Sequence, residues 1–264
     1  MNKGETLAGL DVGHISTKAV LMRGREILGY AGVPTGLEVV AAAEAAIKNV
    51  LKAAGASRDD LAGIVSTGIF RDSIKGSPLN ITTTIPDYMA DAKGALFLNK
   101  NSRTVIDMGG NIQKAIHYDA DGNLLDVIQN DKCADGLGIF FTTMAKALGV
   151  SEEALSELAL RSTNPVAVAI HCAASAESEA IDLMCRGVDI ADVADAVSRF
   201  IVERIAAMCT TLPLAQEIVV AGGLAKSRAL MKHLQILLKQ EVSVLNPPEY
   251  VGAIGAVVSY GSGT

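Results

Sequence analysis

Val105 to Ile116 reads VIDMGGNIQKAI, and Asn130 to Phe141 reads NDKCADGLGIFF. The first stretch is an apolar strand that ends in Asp107, breaks at Gly109 and Gly110, and resumes as a strand carrying Lys114. A strand-end carboxylate beside bare backbone N–H groups suits a metal-bound polyphosphate. The second stretch sets Cys133 just before a helix start flanked by glycines, Gly136 among them. The expectation is a nucleotide site that runs directly into a cysteine at a helix N-terminus.

An earlier stretch repeats the first. TLAGLDVGHISTKAV, from Thr6 to Val20, and RTVIDMGGNIQKAI, from Arg103 to Ile116, share one order. Each has an apolar strand, Asp, one residue, Gly, a short turn, Lys and a second apolar strand. In the earlier copy Asp11 closes the strand, and Gly13, Ser16 and Thr17 lie on a turn able to donate to phosphate, with Lys18 after it. Neither GxGxxG nor GxxxxGK[ST] is present, which argues against Rossmann and P-loop readings. DVGHISTK alone could be an ordinary hairpin; the duplication argues for two β-β-β-helix halves of one ATPase. Facing each other, the halves would set Asp11 and Asp107 on opposite walls of one cleft.

Composition is compatible with this. The chain has 264 residues, of which 50% are hydrophobic, 4% aromatic and 25 in number glycine, a mixture suited to packed α/β layers. A net charge of −6 gives no general basic surface, so nucleic acid is not an expected partner. No apolar run reaches the roughly 18 residues of a membrane span and no leader precedes the first strand, so a cytoplasmic protein with no membrane partner is expected. The four cysteines, Cys133, Cys172, Cys185 and Cys209, are dispersed without a CxxC pair. In a reducing compartment they are thiols or metal ligands. Cys185 and Cys209 fall inside helical apolar patterns and read as core.

The remaining elements follow from period and punctuation. Helices are expected over Leu37–Ala54, from Pro86 to Leu98, and over Gly138–Leu148, Ser151–Leu160, Ser178–Met184 and Ile190–Thr211. LAGIVSTG is a buried strand closed by Thr67 and Gly68, and Ser73 to Asp87 reads as a loop. VAVAI, from Val166 to Ile170, reads as a short strand entering His171 and Cys172. EIVVAGGLAKS, from Glu217 to Ser227, is strand, Gly222, Gly223 and helix; these glycines and Ala225 would let an adenosine pass close to the backbone. VGAIGAVVSYG is a small-residue helix whose Gly252, Ala253, Gly255 and Ala256 fit it for close packing at a lobe junction.

This order of motifs resembles the acetate and sugar kinase, Hsp70 and actin superfamily. Within it NDKCADGLG, CAASAESEAI and VVAGGLAKS resemble the BadF/BadG/BcrA/BcrD ATPase family. That family includes the activators of 2-hydroxyacyl-CoA dehydratases and the ATPase subunits of benzoyl-CoA reductase. The resemblance implies an α/β, two-lobed actin-like (ribonuclease H-like) fold with duplicated β-β-β-α-β-α-β-α lobes. Residues 1–97 would form the N-terminal lobe and residues 98–264 the lobe carrying the cluster cysteines. It implies ATP with Mg²⁺, and a [4Fe–4S] cluster shared between two subunits through Cys133 and Cys172 of each. It also implies a homodimer or a heterodimer with a sister subunit, a dehydratase or reductase partner, and a ferredoxin or flavodoxin as electron source. Asp107, Asn111 and Asp11 would be catalytic. Gly13, Ser16, Thr17, Lys18, Gly109, Gly110, Lys114, Gly136, Glu177, Gly222, Gly223 and Ala225 would line the nucleotide site.

Two positions depart from the activators, whose pattern Asp-Ile-Gly-Gly-Gln-Asp is here DMGGNI. Asn111 stands for Gln and can still orient a water; Ile112 stands for Asp and brings no charge. A small-molecule kinase, such as an amino-sugar kinase without a cluster, is the alternative enzyme. An ATP-gated scaffold is the alternative binding protein.

Overall fold

The computed structural model describes residues 4–130, 135–168, 173–212, 214 and 217–261. The strands are β1 (Thr6–Val12), β2 (Ser16–Arg23), β3 (Glu26–Pro34), β4 (Leu61–Thr67), β5 (Thr83–Thr84), β6 (Thr104–Met108), β7 (Gln113–Tyr118), β8 (Leu124–Gln129), β9 (Ile218–Ala221) and β10 (Val242–Val244). The helices are α1 (Val39–Ala54), α2 (Asp87–Leu98), α3 (Leu137–Ala147), α4 (Glu152–Ala159), α5 (Ala173–Cys185), α6 (Ile190–Cys209), α7 (Arg228–Leu238) and α8 (Val251–Gly261). The chain groups into two compact units. Met1–Arg103, Tyr118–Leu125 and Leu245–Thr264 form the first, and Thr104–His117 with Asp126–Val244 the second.

In the first unit the sheet order is β3-β2-β1-β4-β5. β1 pairs antiparallel with β2 and parallel with β4. The period of two along these strands separates two cores. Ala8, Leu10, Val12, Ala19 and Leu21 pack with Ala43, Ala46, Ile47 and Val50 of α1. Leu7, Val20 and Met22 point the other way, onto Ala253, Ile254 and Val257 of α8. Each fully buried large apolar side chain contributes about 1.5–3 kcal/mol relative to exposure, which makes this central layer the stable part of the unit. Alanines favour α1 and Gly55 ends it in a left-handed cap, φ 64°, that satisfies the carbonyls of Leu51 and Lys52.

α8 packs on α2 at backbone distance. A Cβ at Gly255 would stand 1.7 Å from the Ala90 carbonyl oxygen, and one at Gly94 2.1 Å from that of Val251. Only glycine permits this approach, which assigns the small-residue stripe of α8 to packing against α2.

The second unit repeats the pattern as β10-β9-β6-β7-β8. β6 pairs antiparallel with β7 and parallel with β9, and β9 parallel with β10. Where the first unit has α1, the second has four helices, α3 to α6, between its third and fourth strands. Ile106, Met108 and Val220 of the sheet share one core with Phe140, Phe141 and Met144 of α3, Phe200 and Ile205 of α6, and Leu230 of α7. The topology is therefore duplicated and the helical layer of the second unit enlarged.

Four local expectations need correction. Residues 166–168 form no strand; the rest of VAVAI lies outside the described residues. α5 begins at Ala173 and not at Ser178, because the Ala-Ala-Ser-Ala run is itself helical. Cys185 ends α5 in an exposed position, whereas Cys209 is buried as expected. The expected loop from Ser73 to Asp87 is mostly turns, but two of its residues, Thr83–Thr84, add an edge strand.

Candidate functional site

Asp11 is the penultimate residue of β1, in register with Lys18 of β2, and the two side chains pair at 2.9 Å. The intervening turn is closed by the Gly13 N–H, which donates to the Ser16 carbonyl at 3.3 Å. Ser16 is half-exposed at the turn's end, but Thr17 is fully buried. Its hydroxyl bonds that of Thr35 at 2.9 Å, and Thr35 donates in turn to the Gly13 carbonyl at 2.8 Å. Thr17 therefore braces the turn from below and does not present its hydroxyl to a ligand. Thr35, which no motif marked, shares that task.

The other flank of Asp11 belongs to Gly68, immediately after β4. Its φ is +90°, and a Cβ there would lie 2.5 Å from Asp11 Oδ1 and 2.6 Å from the Val12 carbonyl. The chain then crosses the turn, with the Phe70 N–H bonding the Val12 carbonyl at 3.0 Å and the Phe70 ring meeting His14 edge-on at 5.2 Å. β1 and β4 are parallel and both end here, the side of an α/β sheet where ligands bind. A second carboxylate approaches from α2. A Cβ at Gly252 would stand 3.1 Å from Asp91 Oδ1 and 3.6 Å from Asp11 Oδ2, so the two acids flank that glycine. Asp91 is buried among alanines and gave no signal in the sequence.

The second unit repeats the Asp–Lys pair and the glycine that leans on the carboxylate. Asp107 is in register with Lys114 at 3.4 Å. Its glycine is Gly222, φ +89°, where a Cβ would meet the Met108 carbonyl at 2.3 Å and Asp107 Oδ1 at 2.7 Å. The Gly109 carbonyl, counterpart of Gly13's, is braced by Gln113 Nε2 at 3.1 Å. Gly223 follows with open space where a Cβ would stand, and Ala225 is buried in a 3₁₀ turn, Gly223–Lys226, that leads to α7. Ser227 caps α7 by accepting from the Leu230 N–H at 3.3 Å.

The glycine turn is also fastened to the start of α3. The Asn111 carbonyl accepts from the Gly136 N–H at 2.9 Å and the Gly110 carbonyl from that of Ile139 at 3.0 Å. A Cβ at Gly138 would overlap Gly109 and Gly110 at 2.7 Å. Asn130 joins both sides, its Oδ1 accepting from the Gln113 N–H at 2.6 Å and its Nδ2 donating to Asp135 at 2.7 Å. Asn130 and Gly136, on either side of residues 131–134, are thus both bonded to the β6–β7 turn region.

Cys133 itself, with His171 and Cys172, lies outside the described residues. Cys172 immediately precedes α5, and Glu177 is half-buried one turn into that helix. Among the described residues no three His, Cys, Asp or Glu side chains gather as a metal site. Burial pushes the Cys209 thiol up to about 12, which disfavours the thiolate a metal requires. No helix among the described residues is long and apolar enough to cross a membrane.

Known proteins match nearly the whole chain. The model of the BadF/BadG/BcrA/BcrD ATPase family covers residues 8–259. The (R)-2-hydroxyglutaryl-CoA dehydratase activating ATPase of Acidaminococcus fermentans is 32% identical over 95% of both chains. The structure of component A of that organism's (R)-2-hydroxyglutaryl-CoA dehydratase superposes with a TM-score of 0.90, at 30% identity and 97% coverage of each chain. That of the activator of 2-hydroxyisocaproyl-CoA dehydratase from Clostridium difficile, with bound ADPNP, gives 0.89 at 26% identity, covering 96% of this chain and 93% of that one.

Proposed function

The chain belongs to the BadF/BadG/BcrA/BcrD ATPase family, and from that premise we propose that it is an ATP-dependent electron donor to a 2-hydroxyacyl-CoA dehydratase or a benzoyl-CoA reductase-type partner. The duplicated Asp–Lys pair, each with a positive-φ glycine against the carboxylate, carries the nucleotide half of this reading. Asp11 and Asp107 orient Mg²⁺ and its waters, since Mg²⁺ is commonly held by one or two carboxylates with the substrate's phosphates. Lys18 and Lys114 offset phosphate charge, and the backbones of Gly13, Ser16, Gly109 and Gly110 approach it. Asn111 positions the attacking water, while Gly222, Gly223 and Ala225 accommodate the adenosine. Phosphoryl transfer depends mostly on such positioning and charge neutralisation.

For the electron-transfer half, Cys133 and Cys172 of two subunits make the Cys₄ set that a [4Fe–4S] cluster requires. When bound, the cluster supplies a low-potential one-electron carrier. What supports this placement is that each cysteine precedes a helix start, α3 or α5, where N–H groups and the helix dipole favour thiolate. The Asn111–Gly136 bond ties the nucleotide turn to the start of α3, the helix that follows Cys133 in sequence. The dimer is of this chain or of this chain with a sister subunit, and a ferredoxin or flavodoxin supplies the electron.

Anaerobic purification tests the reading. About four iron and four sulfide are expected per dimer. Cys133→Ser or Cys172→Ser should lose them and still bind ADP. Protein that stays iron-free after anaerobic reconstitution, and releases ADP only on adding a sugar, would replace this reading with the kinase.

A further inference from the structure

The segment that enters Cys172 has no sheet partner among the described residues, yet it is fastened at several points to α6. Asp192, in the first turn of α6, accepts from Ser162 Oγ at 2.8 Å and from the N–H groups of Thr163 and Asn164 at 3.1 and 3.0 Å. Two turns further along, Arg199 donates from Nη2 to the Val166 carbonyl. Arg199 is not a free surface cation. Its Nε pairs with Asp195 at 2.8 Å, and Asp195 is buried, with a side chain only 8% exposed. The second oxygen of Asp195 meets His233 Nε2 of α7, also at 2.8 Å.

The geometry points to Arg199 as the positioning residue of the strap 162–168, held in its working orientation by Asp195 and tied through His233 to α7. A guanidinium bonded by a carboxylate through Nε has its remaining N–H groups fixed in direction, so it holds one carbonyl instead of sampling several. Burial would raise the Asp195 carboxyl, but its bonds to His233 and Arg199 outweigh that and hold it below the usual range. Asp195 therefore stays anionic and can serve both partners at once. α7 is the helix capped by Ser227 directly after the turn that begins at Gly222 and Gly223. His233 sits in its second turn, on the face that meets α6. A shift of that glycine turn thus has a polar path to the strap: α7, His233, Asp195, Arg199, Val166. The local clamp stands by itself; its response to nucleotide rests on the reading of Gly222 and Gly223 as an adenosine site.

Hydrogen exchange on the full-length protein, followed by mass spectrometry of the peptide spanning residues 160–168, tests both parts. Arg199→Met should speed exchange in this peptide at least tenfold, with that of α6 and α7 and the affinity for ADP within twofold of the parent. Arg199→Lys should stay fast, because an ammonium cannot serve Asp195 and Val166 with the same fork. Unchanged exchange in Arg199→Met, or an equal rise throughout α6 and α7, would overturn the clamp. In the parent protein ADP should alter exchange of the strap at least threefold. His233→Leu should abolish that response at unchanged ADP affinity, and His233→Gln, which keeps a donor, should retain it. A parent that binds ADP without a change in the strap, or a response that survives in His233→Leu, overturns the coupling. A parent that binds no ADP overturns the nucleotide reading and the coupling with it, while the Arg199→Met result still decides the clamp.

Discussion

Two adjacent glycines should behave in opposite ways when replaced by alanine. Gly222 has φ 89° and ψ 167°, a region open essentially to glycine alone, so an L residue there costs of order 1–3 kcal/mol in backbone strain. Its Cβ would also stand 2.3 Å from the Met108 carbonyl oxygen and 2.7 Å from Asp107 Oδ1. The first of these atoms is backbone in the central strand β6 and cannot rotate aside, so overpacking adds about 1–3 kcal/mol more. Gly222→Ala should therefore lose roughly 2–6 kcal/mol, a drop in Tm on the order of 10 °C for a chain of this size. A Cβ at Gly223 meets nothing within 4 Å, and the residue sits in an ordinary 3₁₀ turn. Gly223→Ala should match the parent in stability to within about 0.5 kcal/mol. If a nucleotide lies over this turn, the new methyl should nevertheless weaken ADP binding severalfold. Urea unfolding and titration with a fluorescent ADP analogue measure the two effects separately. Equal stability of Gly222→Ala and the parent would refute the steric argument. Unaltered ADP affinity in Gly223→Ala would remove the adenosine from this glycine.

Asp107→Asn should reduce ATP turnover by on the order of 100-fold while leaving the circular dichroism spectrum intact, because it removes one oriented charge and little volume. Gly68→Ala should reproduce the Gly222→Ala instability by the same overlap, here 2.5 Å from Asp11 Oδ1. Asp192 is held below the usual aspartate range, first by the Asn164 N–H and then by the Ser162 hydroxyl. A depressed folded-state pKa means that its stabilisation is fully present above the ordinary value, about 3.9, and is lost as pH falls through the lower folded value. The stability gap between the parent and Asp192→Asn, read by urea unfolding at several pH values, should close on that descent. Cys185 should react with iodoacetamide in native protein, whereas Cys209, buried and with its thiol raised to about 12, should label only in denaturant.

What could be read beforehand depended on how local the signal was. The repeat was legible because a hairpin places Asp and Lys opposite each other at a fixed separation. Asp11 and Lys18 are seven residues apart, and the same interval separates Asp107 from Lys114. Apolar strands on either side set the register. The glycines after β4 and β9 were visible as residues, but not the carboxylates they lean on, because those contacts join strands far apart in sequence. Asp91 and Thr35 were invisible for the same reason. Periodicity misread residues 166–168 as strand, because an apolar segment looks alike whether a strand or, as at Val166, a guanidinium holds its carbonyl. It also overlooked the exposure of Cys185, since a pattern of apolar residues does not reveal which helix end protrudes.

The duplication is most informative where it breaks. In the first unit the turn after Asp11 is closed from below by Thr35: its N–H bonds the Ile15 carbonyl at 3.0 Å and its hydroxyl bonds the Gly13 carbonyl. Thr35 follows β3 directly, and the chain goes on to a single helix, α1. In the second unit these two tasks are divided. Gln113 braces the Gly109 carbonyl, and the Asn111 carbonyl, which corresponds to that of Ile15, is met by Gly136. Between the end of β8 and Gly136, Asn130 donates to Asp135. The turn is thus anchored in one copy by the strand beside it and in the other by a helix start. A displacement of the second turn would pull on α3 through Asn111 and Gly110, whereas the first turn is tied to Thr35 and, at Val12, to the Phe70 N–H of the segment after β4. The departure at Ile112 fits this division, because its backbone carbonyl closes over Gly109, with 2.6 Å to a would-be Cβ, and that contact needs no charged side chain. The second glycine turn is therefore the one bonded directly to a helix start.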